Sequence, residues 1–143
     1  MEMPLSEIID RYTILKLKME RLSDAQKNAE ALLAHEFATY SRALEEFKSG
    51  GVSIKSEWLD DLYKINGRCW DLEADIRQGK EGDLGLEEVG RRAIMIRDIN
   101  QKRVAVKNII ARETGLGFQE VKINHASADT GSYDVDRPNP TLS

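Results

Sequence analysis

Apolar side chains recur through the first 114 residues at intervals of three and four, and this spacing constrains the fold more than any other feature of the chain. Residues three or four positions apart lie on the same face of a helix, so the spacing predicts amphipathic helices. Four stripes of this kind follow one another. They are Leu5, Ile8, Tyr12, Leu15, Met19 and Leu22; Ala29, Leu33, Phe37, Tyr40, Leu44 and Phe47; Trp58, Leu62, Ile65, Cys69, Leu72 and Ile76; and Leu86, Val89, Ala93 and Ile96.

The boundaries of the first two helices are predicted from residues that favour helix ends. Ser6 and Ser23 are each placed to accept a hydrogen bond from an exposed N–H group at a helix start. Gly50 and Gly51 follow the second stripe and are expected to end that helix. The short connection before Ser23 predicts that the first two helices form an antiparallel hairpin.

The last two predicted helices form a second hairpin. The third helix is expected to begin after Ser53 or Ser56, and the glycine-rich segment 79–85 separates it from the fourth. The fourth helix is predicted from about Leu86 to Thr114, with Gly115 as its stop. The sequence therefore predicts an all-α, elongated bundle of two antiparallel hairpins, with residues 1–114 as its domain.

The remaining segment, residues 115–143, differs in character. Residues 118–123 alternate as in a short strand, and small, polar, glycine and proline residues dominate after Asn124. One interpretation is a flexible terminus. The other is an extended arm that docks on a neighbouring subunit or on its own bundle. The apolar residues such an arm would use are Phe118, Val121, Ile123, Tyr133, Val135 and Leu142.

Polar side chains interrupt the predicted inward faces of the third and fourth helices. Buried polar groups without partners cost about 1–3 kcal/mol each, so these groups need a partner, water or a ligand. The candidate cluster on these two helices comprises Asn66, Trp70, Glu73, Arg77, Arg92, Asn100, Arg103 and Lys107. We interpret it as a network that fixes helix register, as an asparagine does in a coiled-coil core. A pocket for a small anion and a set of solvated faces are the alternatives.

An antiparallel hairpin around Gly82 predicts the pairing within this cluster. Facing residues should have numbers that add to about 165. Glu73 is then expected near Arg92, and Asn66 near Asn100. The same register brings Arg103 toward Asp61 and Tyr63.

Metal, nucleophilic and phosphate-loop chemistry find little support in the sequence. His35 and His125 stand without nearby histidine or cysteine ligands, so no metal site is predicted. Cys69 lies on an apolar stripe, where burial would raise its pKa and leave it unreactive. The glycine-rich segments lack the lysine and hydroxyl residue of a phosphate-binding loop. We therefore expect no cofactor.

The enzyme class that the sequence most nearly fits is an all-α, magnesium-dependent nucleotide pyrophosphohydrolase. Such enzymes bind Mg²⁺ with Glu-x-x-Glu and Glu-x-x-Asp pairs on facing helices. The chain has two Glu-x-x-Asp pairs, Glu7 with Asp10 and Glu57 with Asp60, and no Glu-x-x-Glu pair. Both pairs fall in the first turn of a predicted helix, where carboxylates also stabilise the helix end.

Charge and composition argue against nucleic acid and membrane partners. The net charge is −4, and the seven basic residues between positions 86 and 114 spread around the predicted helix without aromatic neighbours. No run of about 18 apolar residues is present. The single cysteine fits a reducing compartment, and the first residues lack a leader pattern. We therefore expect a cytoplasmic protein, or a virion component if a phage encodes it.

Three segments are similar to landmarks of a family of small, uncharacterised helical proteins from bacteria and their phages. The segments are residues 8–22, the tryptophan-led acidic run 70–77, and residues 100–110. The resemblance implies helical architecture over residues 5–112 and names no reaction. The matching positions bring together Asp10, Lys18, Trp70, Glu73, Arg77, Asn100 and Arg103.

These patterns predict a non-enzymatic assembly or interaction protein. It would form homo-oligomers, or bind another protein, through its helical faces and its C-terminal arm. The alternative is a small anion-binding or nucleotide-binding enzyme that uses the polar cluster between the helices.

Overall fold

The protein is described by a computed structural model over residues 3–77 and 81–117. Its α-helices are α1 (Leu5–Glu20), α2 (Glu30–Ser49), α3 (Ser56–Arg77), α4 (Glu81–Leu84) and α5 (Leu86–Thr114), and a 3-10 helix (Asp24–Ala29) precedes α2. The predicted all-α fold is confirmed. Four main helices pack as a bundle, in which α1 lies against α2, α3 and α5, and α3 lies against α5.

The first hairpin brings α1 and α2 together in antiparallel orientation. The Tyr12 and Phe37 rings stack with their centroids 4.8 Å apart. Nearer the start of α1, the Tyr40 hydroxyl lies 3.8 Å from the sulfur of Met3. Later residues of α1 therefore meet earlier residues of α2.

The second hairpin pairs α3 with α5, also antiparallel. Lys55, just before α3, forms an ion pair of 3.1 Å with Glu113 near the end of α5. At the other end, the Arg92 guanidinium donates to the backbone oxygen of Leu72 over 3.4 Å. Both pairs lie close to the predicted register, in which the numbers of facing residues add to about 165.

The hydrophobic core fills the junction of these hairpins. Trp58, Leu62 and Ile65 of α3 have almost no exposed surface. The buried cluster consists of Leu5, Ile8, Ile9, Ala43, Leu44, Trp58, Leu62, Ile65, Ile99, Val106 and Ile110. Burial of each large side chain contributes about 1.5–3 kcal/mol, so this junction is the main source of stability.

Two of the predicted helix starts are wrong in detail. Ser6 is buried within the first turn of α1, and Pro4 occupies the position that precedes the helix without a side-chain cap. Ser23 caps the 3-10 helix, forming a capping box with Gln26, and α2 starts only at Glu30. A capping signal marks where a helical turn starts and does not fix the kind of helix that follows.

The predicted ends of the long helices are confirmed. Gly50 ends α2, and Gly51 continues with φ of 95°. α5 spans the predicted Leu86–Thr114, and its C-terminal glycine, Gly115, has φ of 71° and donates its N–H to the oxygen of Ala111 over 2.9 Å. Glycine adopts this left-handed conformation readily because it has no Cβ atom to clash with the backbone.

The inward stripe predicted for the start of α5 is wrong at two positions. Leu86 is 91% exposed, and Ala93 is exposed as well, whereas Val89 and Ile96 are half-buried. Leu86 and Ala93 are exposed because α1 is too short to reach them. α1 ends at Glu20, and the next residue, Arg21, forms a 2.6 Å ion pair with Asp71 of α3. Beyond this point α3 and α5 continue as a pair, so a second apolar face on α5 lacks a covering helix.

Several predictions fall outside the described residues. These are the strand over residues 118–123 and the arm residues Phe118, Val121, Ile123, Tyr133, Val135 and Leu142. Within the part that the structure covers, no helix is both long enough and apolar enough to cross a bilayer.

Candidate functional site: a polar network where three helices meet

Asp10 is the centre of the polar network. Its carboxylate is 1% exposed and lies on the face of α1 that meets α3 and α5. Arg103 of α5 binds it through two nitrogens: Nε lies 3.0 Å from Oδ1 and 3.1 Å from Oδ2, and Nη2 donates to Oδ2. This two-pronged geometry matches the planar guanidinium to the planar carboxylate. The hydrogen bond to Asp10 raises the pKa of Arg103, so the guanidinium keeps its positive charge at physiological pH.

Two neutral side chains complete the network. Asn66 of α3 donates through Nδ2 to Asp10 Oδ1 over 2.9 Å and lies 3.0 Å from the hydroxyl of Thr13. The Thr13 hydroxyl donates to the backbone oxygen of Asp10 over 2.7 Å. One carboxylate thus ties α1 to both helices of the second hairpin.

A second ion pair repeats this connection one turn earlier on α1. Lys107 of α5 is 7% exposed, and its ammonium group pairs with the carboxylate of Glu7. Glu7 and Asp10 are three residues apart on α1, and Arg103 and Lys107 are four apart on α5. Each pair therefore occupies matching faces of two antiparallel helices.

Apart from Lys18 of α1, the remaining residues of the predicted cluster lie on the second hairpin. Arg92 binds Glu88 over 3.1 Å and lies 3.5 Å from Asp75. Asn100 accepts a weak contact from the Cys69 thiol over 3.9 Å. The Trp70 ring lies 5.8 Å from the Arg21 guanidinium.

The structure gives partners on α1 to two residues of the predicted pairings. Asn66 was expected near Asn100, and its amide bonds Asp10 and Thr13 of α1. Arg103 was expected near Asp61 and Tyr63, and its guanidinium binds Asp10 of α1. The proximity of Arg103 to Asp61 and Tyr63 stays a prediction, and the Tyr63 hydroxyl donates to Glu20 over 2.5 Å.

Cys69 behaves as the sequence predicts. Burial raises the pKa of its thiol to about 11, and the nearby negative charge of Glu73 adds to this effect. The thiol is therefore protonated at neutral pH, which removes the form that acts as a nucleophile.

An open cleft of about 320 Å³ adjoins the network between α1, α2 and α5. Asp10 and Arg103 form part of its wall, and the exposed cations Arg11 and Lys18 lie around it together with Glu36. Lys18, Asp10 and Arg103 are the members of the predicted cluster that line this cleft. Arg103 is 32% exposed, so the same guanidinium that binds Asp10 also meets solvent.

The first Glu-x-x-Asp pair of the sequence, Glu7 with Asp10, lies within this network. In the described part of the chain, no three histidine, cysteine or acidic side chains converge to form a metal site. The carboxylates of Glu7 and Asp10 are each paired with a cation of α5. A cationic partner at bonding distance competes for the oxygens that Mg²⁺ would need.

Sequence reasoning missed two members of the network, Glu7 and Thr13. The sequence does contain a signal for both, namely their spacing from Asp10. Each lies three residues from Asp10 and therefore on the same face of α1. Arg77 ends α3, and the structure does not describe its side chain.

The sequence matches no protein-family model, and it has no significant match among curated proteins or solved structures. The chain is a small all-helical protein, and the resemblance of residues 8–22, 70–77 and 100–110 to a bacterial and phage family stays a prediction.

Proposed function

We propose that this is a non-enzymatic assembly protein that pairs with a second copy of itself through the exposed start of α5. The observation that carries the proposal is an apolar stripe with no covering helix. Leu86 is 91% exposed and Ile94 is 50% exposed, with Gly90 exposed midway between them. These residues recur every four positions, so they form one ridge on the helix. We call this ridge the α5 stripe.

The α5 stripe suits pairing with an identical copy. If two α5 helices meet in antiparallel orientation at Gly90, Leu86 of each copy faces Ile94 of the other. A side chain built at Gly90 would meet no atom within 4 Å, so the position is open to close approach of a partner helix. This two-fold arrangement is self-complementary in its apolar contacts.

The polar network supports an architectural interpretation over catalysis. Its carboxylate, guanidinium, amide and hydroxyl groups bind one another, and the Asp10 carboxylate at its centre is 1% exposed. Catalytic groups need an open position for the reacting atom. A satisfied buried network instead fixes the relative position of helices.

Sedimentation equilibrium between about 5 and 200 µM tests the proposal. The stretch of α5 that supplies the stripe, from Leu86 to Ile94, is about 12 Å long, so the interface is small and its dissociation constant is expected in the micromolar range. The wild-type protein should shift from monomer to dimer over this concentration range. Ile94→Arg should remain monomeric, because it places a charge against Leu86 of the other copy.

Leu32→Arg provides the matched control. Leu32 is 62% exposed on α2, away from the α5 stripe, so the same change should leave the dimer intact. Both substitutions fall on exposed sites, and neither should change the melting temperature of the monomer by more than about 2 °C. A wild-type protein that is monomeric at 200 µM, or an Ile94→Arg variant that still dimerises, would show that the proposal is wrong.

A second candidate function is the binding of a small anion in the cleft beside the network. The observation in its favour is the convergence of Arg11, Lys18 and the exposed side of Arg103 on one opening. Inorganic phosphate or pyrophosphate should then raise the melting temperature, by an amount that Arg11→Ala combined with Lys18→Ala abolishes. An unchanged melting temperature at 20 mM of either anion contradicts this candidate.

A further inference from the structure

The cleft beside the polar network has positive charge at both of its ends. Arg11 and Lys18 line it from α1, and because they are two helical turns apart they lie on nearly the same face of that helix. The rise between them is about 10 Å. Arg103 also lines the cleft and binds Asp10, the neighbour of Arg11 in the sequence, so Arg103 lies at the Arg11 end. One end therefore has two guanidinium groups and the other has an ammonium group.

These cations have donor groups available for a ligand. Arg11 and Lys18 are exposed, and neither forms a hydrogen bond or an ion pair in the part of the chain that the structure describes. Arg103 binds Asp10 through Nε and Nη2, and its side chain is 32% exposed. Each end can therefore donate charge-assisted hydrogen bonds to an anionic group.

The wall between the two ends is apolar. Ile14 and Leu15 line the cleft three and four residues after Arg11, which places them between Arg11 and Lys18 on the same face of α1. Leu15 is buried and Ile14 is half-buried. A hydrocarbon chain laid against these side chains is removed from water, whereas an inorganic polyanion gains nothing from them.

Glu36 of α2 restricts the charge of whatever occupies the middle of the cleft. The stacked rings of Tyr12 and Phe37 set the register of α2 against α1. Glu36 precedes Phe37 and therefore lies level with the residues just after Tyr12, opposite the apolar stretch. Its carboxylate disfavours a negative charge at this point. The cleft thus favours negative charge at its ends and a neutral chain between them.

We propose that the ligand of this cleft is an organic dianion whose two negative groups are joined by an apolar chain. This assignment rests on the anion-binding function given above as the second candidate, and it adds the chemical class of the ligand. The cleft volume of about 320 Å³ falls within the range of small-molecule sites, which is roughly 300–1,000 Å³. The α5 stripe takes no part in this site, so the dimer and the ligand can be tested separately.

Isothermal titration calorimetry of the full-length protein tests the proposal with three carboxylates. Suberate has two carboxylates on an eight-carbon chain, succinate has two on a four-carbon chain, and octanoate has one on an eight-carbon chain. Suberate should bind at least about fivefold more tightly than either of the others, because it alone joins an ion pair at each end to a chain that covers the apolar wall.

Lys18→Gln separates the two ends of the cleft. It should lower the affinity for suberate to about that for octanoate, and it should change the affinity for octanoate by less than about twofold, because the single carboxylate of octanoate occupies the end with two guanidinium groups. Lys16→Gln is the matched control. Lys16 is also exposed on α1, but its ammonium group lies 5.1 Å from the centre of the Tyr63 ring of α3, and it does not line the cleft. Lys16→Gln should leave suberate binding unchanged, and both variants should keep the wild-type melting temperature within about 2 °C.

Several results would overturn the proposal. Suberate that binds no more tightly than succinate or octanoate would do so, and so would an unchanged suberate affinity in Lys18→Gln. Tripolyphosphate that binds as tightly as suberate would also do so, because its negative charge runs along its whole length and must lie beside Glu36. If phosphate raises the melting temperature while suberate fails these tests, the cleft is a small-anion site and the dianion assignment is wrong. If neither phosphate nor suberate binds, both proposals for the cleft are wrong.

Discussion

Removal of the Arg103 charge should destabilise the protein more than removal of the Asp10 charge. Arg103→Met keeps most of the aliphatic length of the side chain and deletes the two-pronged contact to Asp10. The Asp10 carboxylate is 1% exposed, so water cannot replace the lost partner without opening the bundle. Asn66 remains as a single donor to that carboxylate.

The expected magnitude follows from these contacts. Breaking a buried ion pair by removing one partner costs about 3–5 kcal/mol, and the partial exposure of Arg103 favours the lower end. We expect about 3 kcal/mol for Arg103→Met. Asp10→Asn leaves a guanidinium that is 32% exposed and can be hydrated, so about 1.5 kcal/mol is expected there. For a chain of this size, each kcal/mol lowers the melting temperature by about 4 °C. The melting temperature should therefore fall by about 12 °C for Arg103→Met and by about 6 °C for Asp10→Asn.

Urea denaturation at pH 7 measures the free energy of unfolding of Arg103→Met, of Asp10→Asn and of the double variant. The double variant should lose no more than about 3 kcal/mol, because the second substitution removes the unpaired charge that the first one leaves. Arg21→Met deletes an ion pair with the exposed Asp71 and serves as the control, with a loss of at most about 1 kcal/mol. Losses that simply add, or an Asp10→Asn loss larger than that of Arg103→Met, would refute the reasoning.

Two further outcomes follow from the helix ends and the buried thiol. At pH 8, Cys69 should react with iodoacetamide at least tenfold more slowly in the native protein than in urea, since its pKa is raised to about 11 from an ordinary value of 9.0. The stabilising contribution of this shift is complete below pH 9 and is lost as the pH rises through 11, so a stability that is flat across this window would contradict the assignment. Gly115→Ala should cost about 1 kcal/mol in urea denaturation because φ there is 71°, whereas Gly50→Ala, with φ of −79°, should change stability by less than about 0.5 kcal/mol.

The linear pattern of the sequence was enough to predict the main helices. The spacing from Trp58 to Ile76 predicted α3, and Gly115 predicted the last residue of α5. These features succeed because a helical face and a helix end are properties of neighbours in the sequence. The hairpin register followed from the position of one turn, and the contacts of Arg92 and Lys55 lie close to it.

The candidate site was predicted only in part. Asn66 and Arg103 were singled out because they are polar residues at inward positions, and Asp10 was added by the resemblance of residues 8–22 to a helical family. The structure joins all three. Their contacts with one another were not predicted, because the register was worked out along one hairpin and omitted α1. The exposure of Leu86 was missed for a related reason, since periodicity predicts that a face is apolar and cannot show whether another helix covers it.

The sequence by itself determined that the chain folds into helices and where the main ones end, because short-range spacing and glycine conformation set both properties. The tertiary structure decided which polar groups meet and which apolar ridge stays uncovered. Those outcomes depend on the angle and overlap at which α1 crosses the second hairpin. That crossing brings residues 93 positions apart, Asp10 and Arg103, into contact, and no local pattern in the sequence carries this information.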